Sequence, residues 1–201
     1  MADDRELLSR WRGGDRSAGN ELFDRHFDSL RRFFGSKLPI TDVEDVLQRT
    51  MVSCLESVER FRGDSSFRTY LFVIARRELY DHLKRRHRTA SREDPDLGVT
   101  SIRDVGLTPS FFAAAREQHQ HIVEAMQRIP VDFQVTLELF YWEQLKGPEL
   151  AEVLGISPTT VRTRLHRARE ALRKELQRAA PGLDHGDDAL GRSIARIGAE
   201  S

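Results

Sequence analysis

With 201 residues, 32% of them charged, and a formal net charge of zero, the chain has room for one medium domain or two small ones, and its total charge argues neither for nucleic acid nor against it. The single cysteine, Cys54, excludes an intramolecular disulfide and a cysteine-based zinc site, and it fits a reducing compartment. No window approaches the roughly 20 apolar residues a membrane helix needs, and the charged start MADDRELLSRWRGGDR has no apolar signal core, so a cytoplasmic protein without membrane insertion is expected.

In chain order, a short first helix is interrupted at Gly13 and Gly14. Leu22, Phe23, Phe27, Leu30 and Phe34 then recur at helical spacing, as do Val43, Val46, Leu47, Leu55 and Val58. Pro39 followed by Thr41 or Asp42 marks the start of the second of these segments. Its acids Asp42, Glu44, Asp45, Glu56 and Glu59 stand against Arg49 alone, so it cannot bind phosphates; it is either a solvated surface or a protein-docking one. The turn-rich FRGDSS, Phe61 to Ser66, separates it from a helix predicted over Phe67 to Arg86. That helix carries Phe67, Tyr70 and Phe72 ahead of a cationic run, and from Arg76 to Arg92 seven basic residues face only Glu78 and Asp81. Rings beside a cationic surface suit single-stranded nucleic acid, on which bases stack. A core role for Phe67, Leu71, Ile74 and Leu79 fits the same spacing equally well.

Periodicity lapses between Thr89 and Pro109, which reads as a linker, and resumes with Ile122, Met126 and Ile129, then with Phe133, Leu137, Phe140 and Tyr141 beyond Pro130. Pro148 to Glu170, PELAEVLGISPTTVRTRLHRARE, has the parts of a helix-turn-helix in order. Pro148 suits a first helical position, Gly155 can take the left-handed conformation of the tight turn, and Ser157 with Pro158 starts the second helix. On that helix Val161, Leu165, Ala168 and Leu172 make one inward stripe, so Thr159, Arg162, Thr163 and His166 point outward with Arg167 beside them. Arginines on a solvated helix are ordinary; with the turn glycine, cap and preceding short helix they point to a duplex reader in the major groove. Arg164 and Arg169 are better placed for the phosphate backbone. His119 and His121, two apart, do not share a face, which argues against a metal site. Beyond Ala180, Leu190, Ile194 and Ile197 line a short amphipathic turn-and-a-half in a loosely held tail.

The expected fold is all-α: a helical bundle over residues 1–88, a flexible linker over 89–112, a smaller bundle containing the helix-turn-helix over 113–178, and an extension over 179–201 with no assigned role. No phosphate-binding glycine loop, nucleophile elbow or metal cluster is present, so neither an enzyme nor a cofactor is expected.

Taken together, the motifs resemble the bacterial sigma-70 family in its two-domain extracytoplasmic-function (ECF) form. LLSRWRGGDRSAGNELFDRHFDSLRRFF resembles region 2.1, DVEDVLQRTMVSCLESVERF region 2.2, RGDSSFRTYLFVIARRELYDHLKRR regions 2.3 and 2.4, and IPVDFQVTLELFYWEQLKGPELAEVLGISPTTVRTRLHRAREALRKEL region 4. The resemblance implies a promoter-recognition subunit of RNA polymerase. Asp45, Gln48, Met51 and Leu55 would dock on the β′ clamp helices of the core enzyme, and the first helices of region 4 on its β-flap. Arg62, Asp64, Ser65, Phe67, Thr69 and Tyr70 would capture a base flipped from the -10 element, with Arg76 and Arg77 on flanking phosphates. Thr159, Arg162, Thr163, Arg164, His166 and Arg167 would read the -35 element. Many family members also have an anti-sigma partner. The chain departs from the pattern at Arg49, where an acid is usual, and at Gly19-Asn20, where a glycine is expected to weaken its helix by about 1 kcal/mol. Val73 and Ile74 stand where housekeeping members carry paired tryptophans, which implies less efficient melting and stricter promoter choice. The rival reading is a helix-turn-helix regulator that does not act as a polymerase subunit.

Overall fold

The computed structural model describes residues 2–90, 101–102, 120–179 and 186–199, and every regular element among them is helical. The first bundle comprises α1 (Asp4–Arg12), α2 (Arg16–Gly35), α3 (Ile40–Ser57) and α4 (Phe67–Ala90). Asp3 and Asp15 start the first two helices by accepting from the Glu6 and Ala18 amides at 2.8 and 3.2 Å. The lower propensity of Gly19 has a packing reason: a Cβ there would lie 2.8 Å from the Trp11 ring, so the glycine is what lets α1 lie close on α2. Trp11 then packs edge-to-face on Phe23 and Phe67.

The second bundle comprises α5 (Gln120–Arg128), α6 (Val131–Tyr141), α7 (Gly147–Leu154) and α8 (Pro158–Ala179). Of the expected linker, only Ser101 and Ile102 are among the described residues; Ile102 is buried and Ser101 forms an isolated antiparallel bridge with Pro130. The tail differs from expectation. It forms α9 (Asp187–Ala199), which seats Leu190, Ile194 and Ile197 on an apolar face built from Ile122, Tyr141 and Trp142. The indole of Trp142 donates to the Ile194 carbonyl at 2.8 Å. Burial of three aliphatic side chains is what turns a short amphipathic segment into a docked helix.

The two bundles pack against each other. One continuous apolar cluster runs from Leu22, Phe34, Phe72 and Leu79 of the first into Val135, Leu139, Leu150 and Leu154 of the second. Helix α4 lies between α3 and α7 and so buries side chains on more than one face. At the seam, Lys37 and Glu138 form a fully buried ion pair. The Lys37 ammonium also donates to the Phe33 carbonyl (2.7 Å) and Ser36 (2.8 Å), and the amide of Gln134 donates to the Ser36 carbonyl and to Glu138. Burial drives the Lys37 pKa down and the Glu138 pKa up, and each partner's charge opposes the other's shift. At the rim, Arg32 joins Glu143 of the second bundle and donates to the Gly198 carbonyl of α9.

Candidate nucleic-acid interface

The turn between α7 and α8 is built as its residues require. Gly155 sits at φ +64°, ψ +36°, its amide bonds to the Glu152 carbonyl, and the next amide, of Ile156, reaches back to Ala151. Ser157 accepts from the Thr160 amide at 3.2 Å and so caps α8. Val161, Leu165, Ala168 and Leu172 are buried, while Thr159, Arg162, Thr163, His166 and Arg167 are all exposed. Five hydrogen-bonding side chains therefore leave one face near the N-terminal end of a helix, the geometry a groove reader uses. Arg164 is only half-exposed and turns toward Asp132, 3.9 Å away. Arg169 donates to the Tyr141 hydroxyl at 2.9 Å, so it is engaged within the bundle rather than free for a phosphate.

In the first bundle an open cleft of about 440 Å³, within the range of small-ligand sites, forms where the Phe61 to Ser66 segment meets α4. Arg62, Asp64, Ser65 and Tyr70 line it, together with Ser57, Arg60 and Phe61, which sequence reasoning missed. Tyr70 and Phe61 are stacked with centroids 4.3 Å apart, and the Tyr70 hydroxyl pairs with Ser57. Phe61 opens the recognised turn, yet its ring has no periodic pattern to betray it. Arg12 of α1 clasps the carbonyls of Val58 and Phe61 from below and fixes the approach to the turn.

Phe67 and Thr69, expected at a nucleic-acid surface, are buried instead. Phe67 packs among Trp11, Phe23 and His26, so the core reading holds for it as for Leu71, Ile74 and Leu79, and Phe72, read only as a ring ahead of the cationic run, is buried too, against Phe33. The reason is that α4 is covered by neighbours on several sides, which a single-stripe reading cannot anticipate. Thr69 lies under the Ser66 cap and donates to Glu149 of α7 at 3.4 Å. Arg77 is exposed, whereas Arg76 is half-buried over the Tyr80 ring and lies 3.6 Å from Asp132.

On α3, Asp45, Gln48 and Leu55 are exposed and Met51 is half-buried beside them. Leu55 is 52% exposed and Val52, one turn before Glu56, is 45% exposed, which leaves an apolar strip among acids. Val52 escaped the sequence reading because it lies off the buried stripe. Arg49 pairs with Asp45 and donates to His82 on α4 at 3.2 Å.

The sigma-70 region 2 family model matches residues 22–89, and the sigma-70 region 4 model matches residues 119–172. The chain is 29% identical over 182 residues to the ECF RNA polymerase sigma-E factor of Haemophilus influenzae, covering 87% of this chain and 95% of that one. It is 27% identical over 180 residues to the protein of the same name from Escherichia coli K12, covering 87% and 94%. Among solved structures, CnrH in complex with the cytosolic domain of CnrY is similar at TM-score 0.58 and 26% identity over 88% of this chain and 99% of that one. The fold is also that of a sigma factor from Bartonella quintana solved with the anti-sigma factor NepR, at TM-score 0.61 and 20% identity over 79% and 96%.

Proposed function

This chain belongs to the ECF group of the sigma-70 family, and from that membership we propose how its residues divide the work. It is a sigma factor: with core RNA polymerase it directs transcription initiation at promoter DNA. The rival of a free-standing helix-turn-helix regulator is not favoured, since it gives no place to the region 2 match over residues 22–89.

In this reading residues 1–88 bind the polymerase and the -10 element, 113–178 read the -35 element, and 89–112 join them. Asp45, Gln48, Met51 and Leu55 would meet the polymerase clamp, a role supported by the exposed apolar strip at Val52 and Leu55. The cleft at Arg62, Asp64, Ser65 and Tyr70 would take the extruded base, with Arg77 on a flanking phosphate. Unstacking a base costs a few kcal/mol, and stacking beside the Phe61–Tyr70 pair with hydrogen bonds in the cleft would offset it. Holding both readers on one polymerase makes the second contact intramolecular, so two modest affinities together select a promoter. The work is binding and positioning, carried out in the cytoplasm where polymerase and DNA meet. Among the described residues no helix is long and apolar enough to cross a membrane. A regulatory protein partner belongs to the reading as well, as CnrH has the cytosolic domain of CnrY.

The observation that carries the -35 assignment is the outward set Thr159, Arg162, Thr163, His166 and Arg167 over a fully inward apolar stripe. Runoff transcription with purified core polymerase on a library of genomic promoters tests it. Arg162→Ala or Arg167→Ala should cut promoter use about 10- to 100-fold, the loss of one bidentate contact worth roughly 1–3 kcal/mol, with core binding unchanged. Normal promoter use by both variants would refute the assignment.

A further inference from the structure

The last helix is seated on the second bundle as a ligand would be. The region 4 match covers residues 119–172, and α9 begins beyond it at Asp187. The face that receives it lies inside the match: Ile122 and Met126 of α5, Leu137 and Tyr141 of α6, Trp142 after it and Leu172 of α8 form one apolar cluster with Leu190 and Ile194. The part shared with the family therefore carries a groove, and a segment outside that part fills it.

Leu190, Ile194 and Ile197 stand at i, i+4 and i+7, the anchor spacing of an amphipathic helix laid in a groove, and none is more than 5% exposed. Arg192 and Arg196 occupy the opposite, exposed side. Two glycines let the backbone of α9 come down onto the aromatic wall: a Cβ at Gly191 would lie 2.9 Å from Tyr141, and one at Gly198 would overlap Trp142. The Trp142 indole then donates to the Ile194 carbonyl at 2.8 Å, which fixes the register. With 13 residues, α9 has a length at which an isolated helix is marginal in water, so its helicity depends on the groove.

Helices α5 and α6, which wall the groove, are the first helices of the second bundle, the part that the family resemblance gives to the polymerase flap. A second amphipathic helix with aliphatic anchors at the same spacing cannot enter while α9 is seated. We propose that α9 is a built-in competitor, holding the groove of α5 and α6 until an amphipathic helix of the polymerase flap takes its place. This rests on the sigma reading of the second bundle. Joined to α8 through residues 180–186, α9 competes at an effective concentration on the order of millimolar, which a free flap does not reach. Docking of α3 on the same polymerase brings the flap to a comparable effective concentration, so the tail delays the second bundle until the first is bound.

The test uses the full chain and the isolated flap domain of the cognate β subunit, labelled with fluorescein and read by anisotropy. Gly191→Leu/Gly198→Leu, which drives side chains into Tyr141 and Trp142, should bind the flap at least ten-fold more tightly than wild type. Arg192→Ala/Arg196→Ala, on the exposed side of α9, should leave the affinity at the wild-type value. Adding Trp142→Ala to the open variant should abolish the gain, because the gain passes through the groove. Should the open variant fail to fold, Gly198→Ala alone carries the same expectation in reduced measure. In wild type, saturating flap domain should speed amide exchange in α9 at least ten-fold. Affinity equal to wild type in a folded variant, a gain matched by the arginine control, or an α9 that stays protected with the flap bound overturns the proposal. Runoff transcription by wild type with core polymerase is read in parallel. Active transcription with unchanged flap affinity overturns the competition alone, whereas absent transcription removes the sigma reading and the competition with it.

Discussion

His82 shows how one departure from the family pattern is accommodated. Arg49, which can only donate, points at His82 Nδ1, so that nitrogen holds the lone pair and Nε2–H donates to Asp42 at 3.0 Å. Arg86 also pairs with Asp42, which places a neutral imidazole in a cluster of Arg49, Arg85, Arg86 and Asp42. Burial lowers the His82 pKa from 6.5, opposed by the Asp42 hydrogen bond and charge. For Asp42, burial pushes upward, but hydrogen bonds from Arg86, Thr41 and His82 outweigh it and hold the carboxyl below 3.8. Both lowered values mean the native state binds fewer protons than the unfolded one, so stability rises with pH across each window. The His82 contribution is complete above pH 6.5 and is lost as pH falls below it; the Asp42 contribution is complete above 3.8 and is lost as pH falls through the depressed native value. His82→Gln, whose amide can keep both bonds, should flatten the urea-denaturation stability profile just below pH 6.5. An unchanged slope would contradict the neutral assignment.

At the scale of elements, α9 is where local reasoning fell shortest. Its three aliphatic residues were visible, but the face that receives them, Ile122, Tyr141 and Trp142, comes from two other helices and has no trace in the tail itself. Close packing is explicit at Gly198, where a Cβ would lie 2.2 Å from the Trp142 ring, and at Gly191, where it would lie 2.9 Å from Tyr141. Gly198→Ala should therefore displace the helix, and Ile194→Ala, at a site 1% exposed, should weaken it by about 2–5 kcal/mol. Both should red-shift Trp142 fluorescence and speed amide exchange in α9 while leaving that of α8 slow. If exchange quickened equally in α8, α9 would be part of the cooperative bundle core rather than an appended strap. By contrast α8 was legible almost residue by residue. It is a helix with one buried side, and a 3.6-residue period then determines which side chains face out.

For the whole molecule, the Lys37–Glu138 pair decides what kind of seam joins the bundles. Lys37→Met alone leaves a buried carboxylate without its cation and should cost about 3–5 kcal/mol in urea denaturation. The double variant Lys37→Met/Glu138→Leu should recover most of that loss, since an apolar pair of similar volume avoids desolvating two charges. Additive losses in the two single variants and the double would show that the pair is not coupled as the geometry requires. A seam of this kind, polar at its centre and fringed by Arg32–Glu143 and Asp132, is one that the sequence could not announce. Its partners lie about a hundred positions apart in the chain and carry no shared motif.

What the amino-acid sequence determined by itself was therefore local. Helical spacing established the all-α class. The left-handed turn at Gly155 and the cap at Ser157 placed the helix-turn-helix, and the period of α8 chose its outward face, because each depends only on neighbours within a turn or two. The ordered motifs determined the family for the same reason. The tertiary structure alone decided that Phe67 and Thr69 are buried, that the tail is a docked helix, and that Glu152 and Asp132 of one bundle rest on Ser65 and Arg76 of the other. Those outcomes depend on contacts between residues distant in the chain, whose energy comes from burial and charge pairing across faces that no single segment contains.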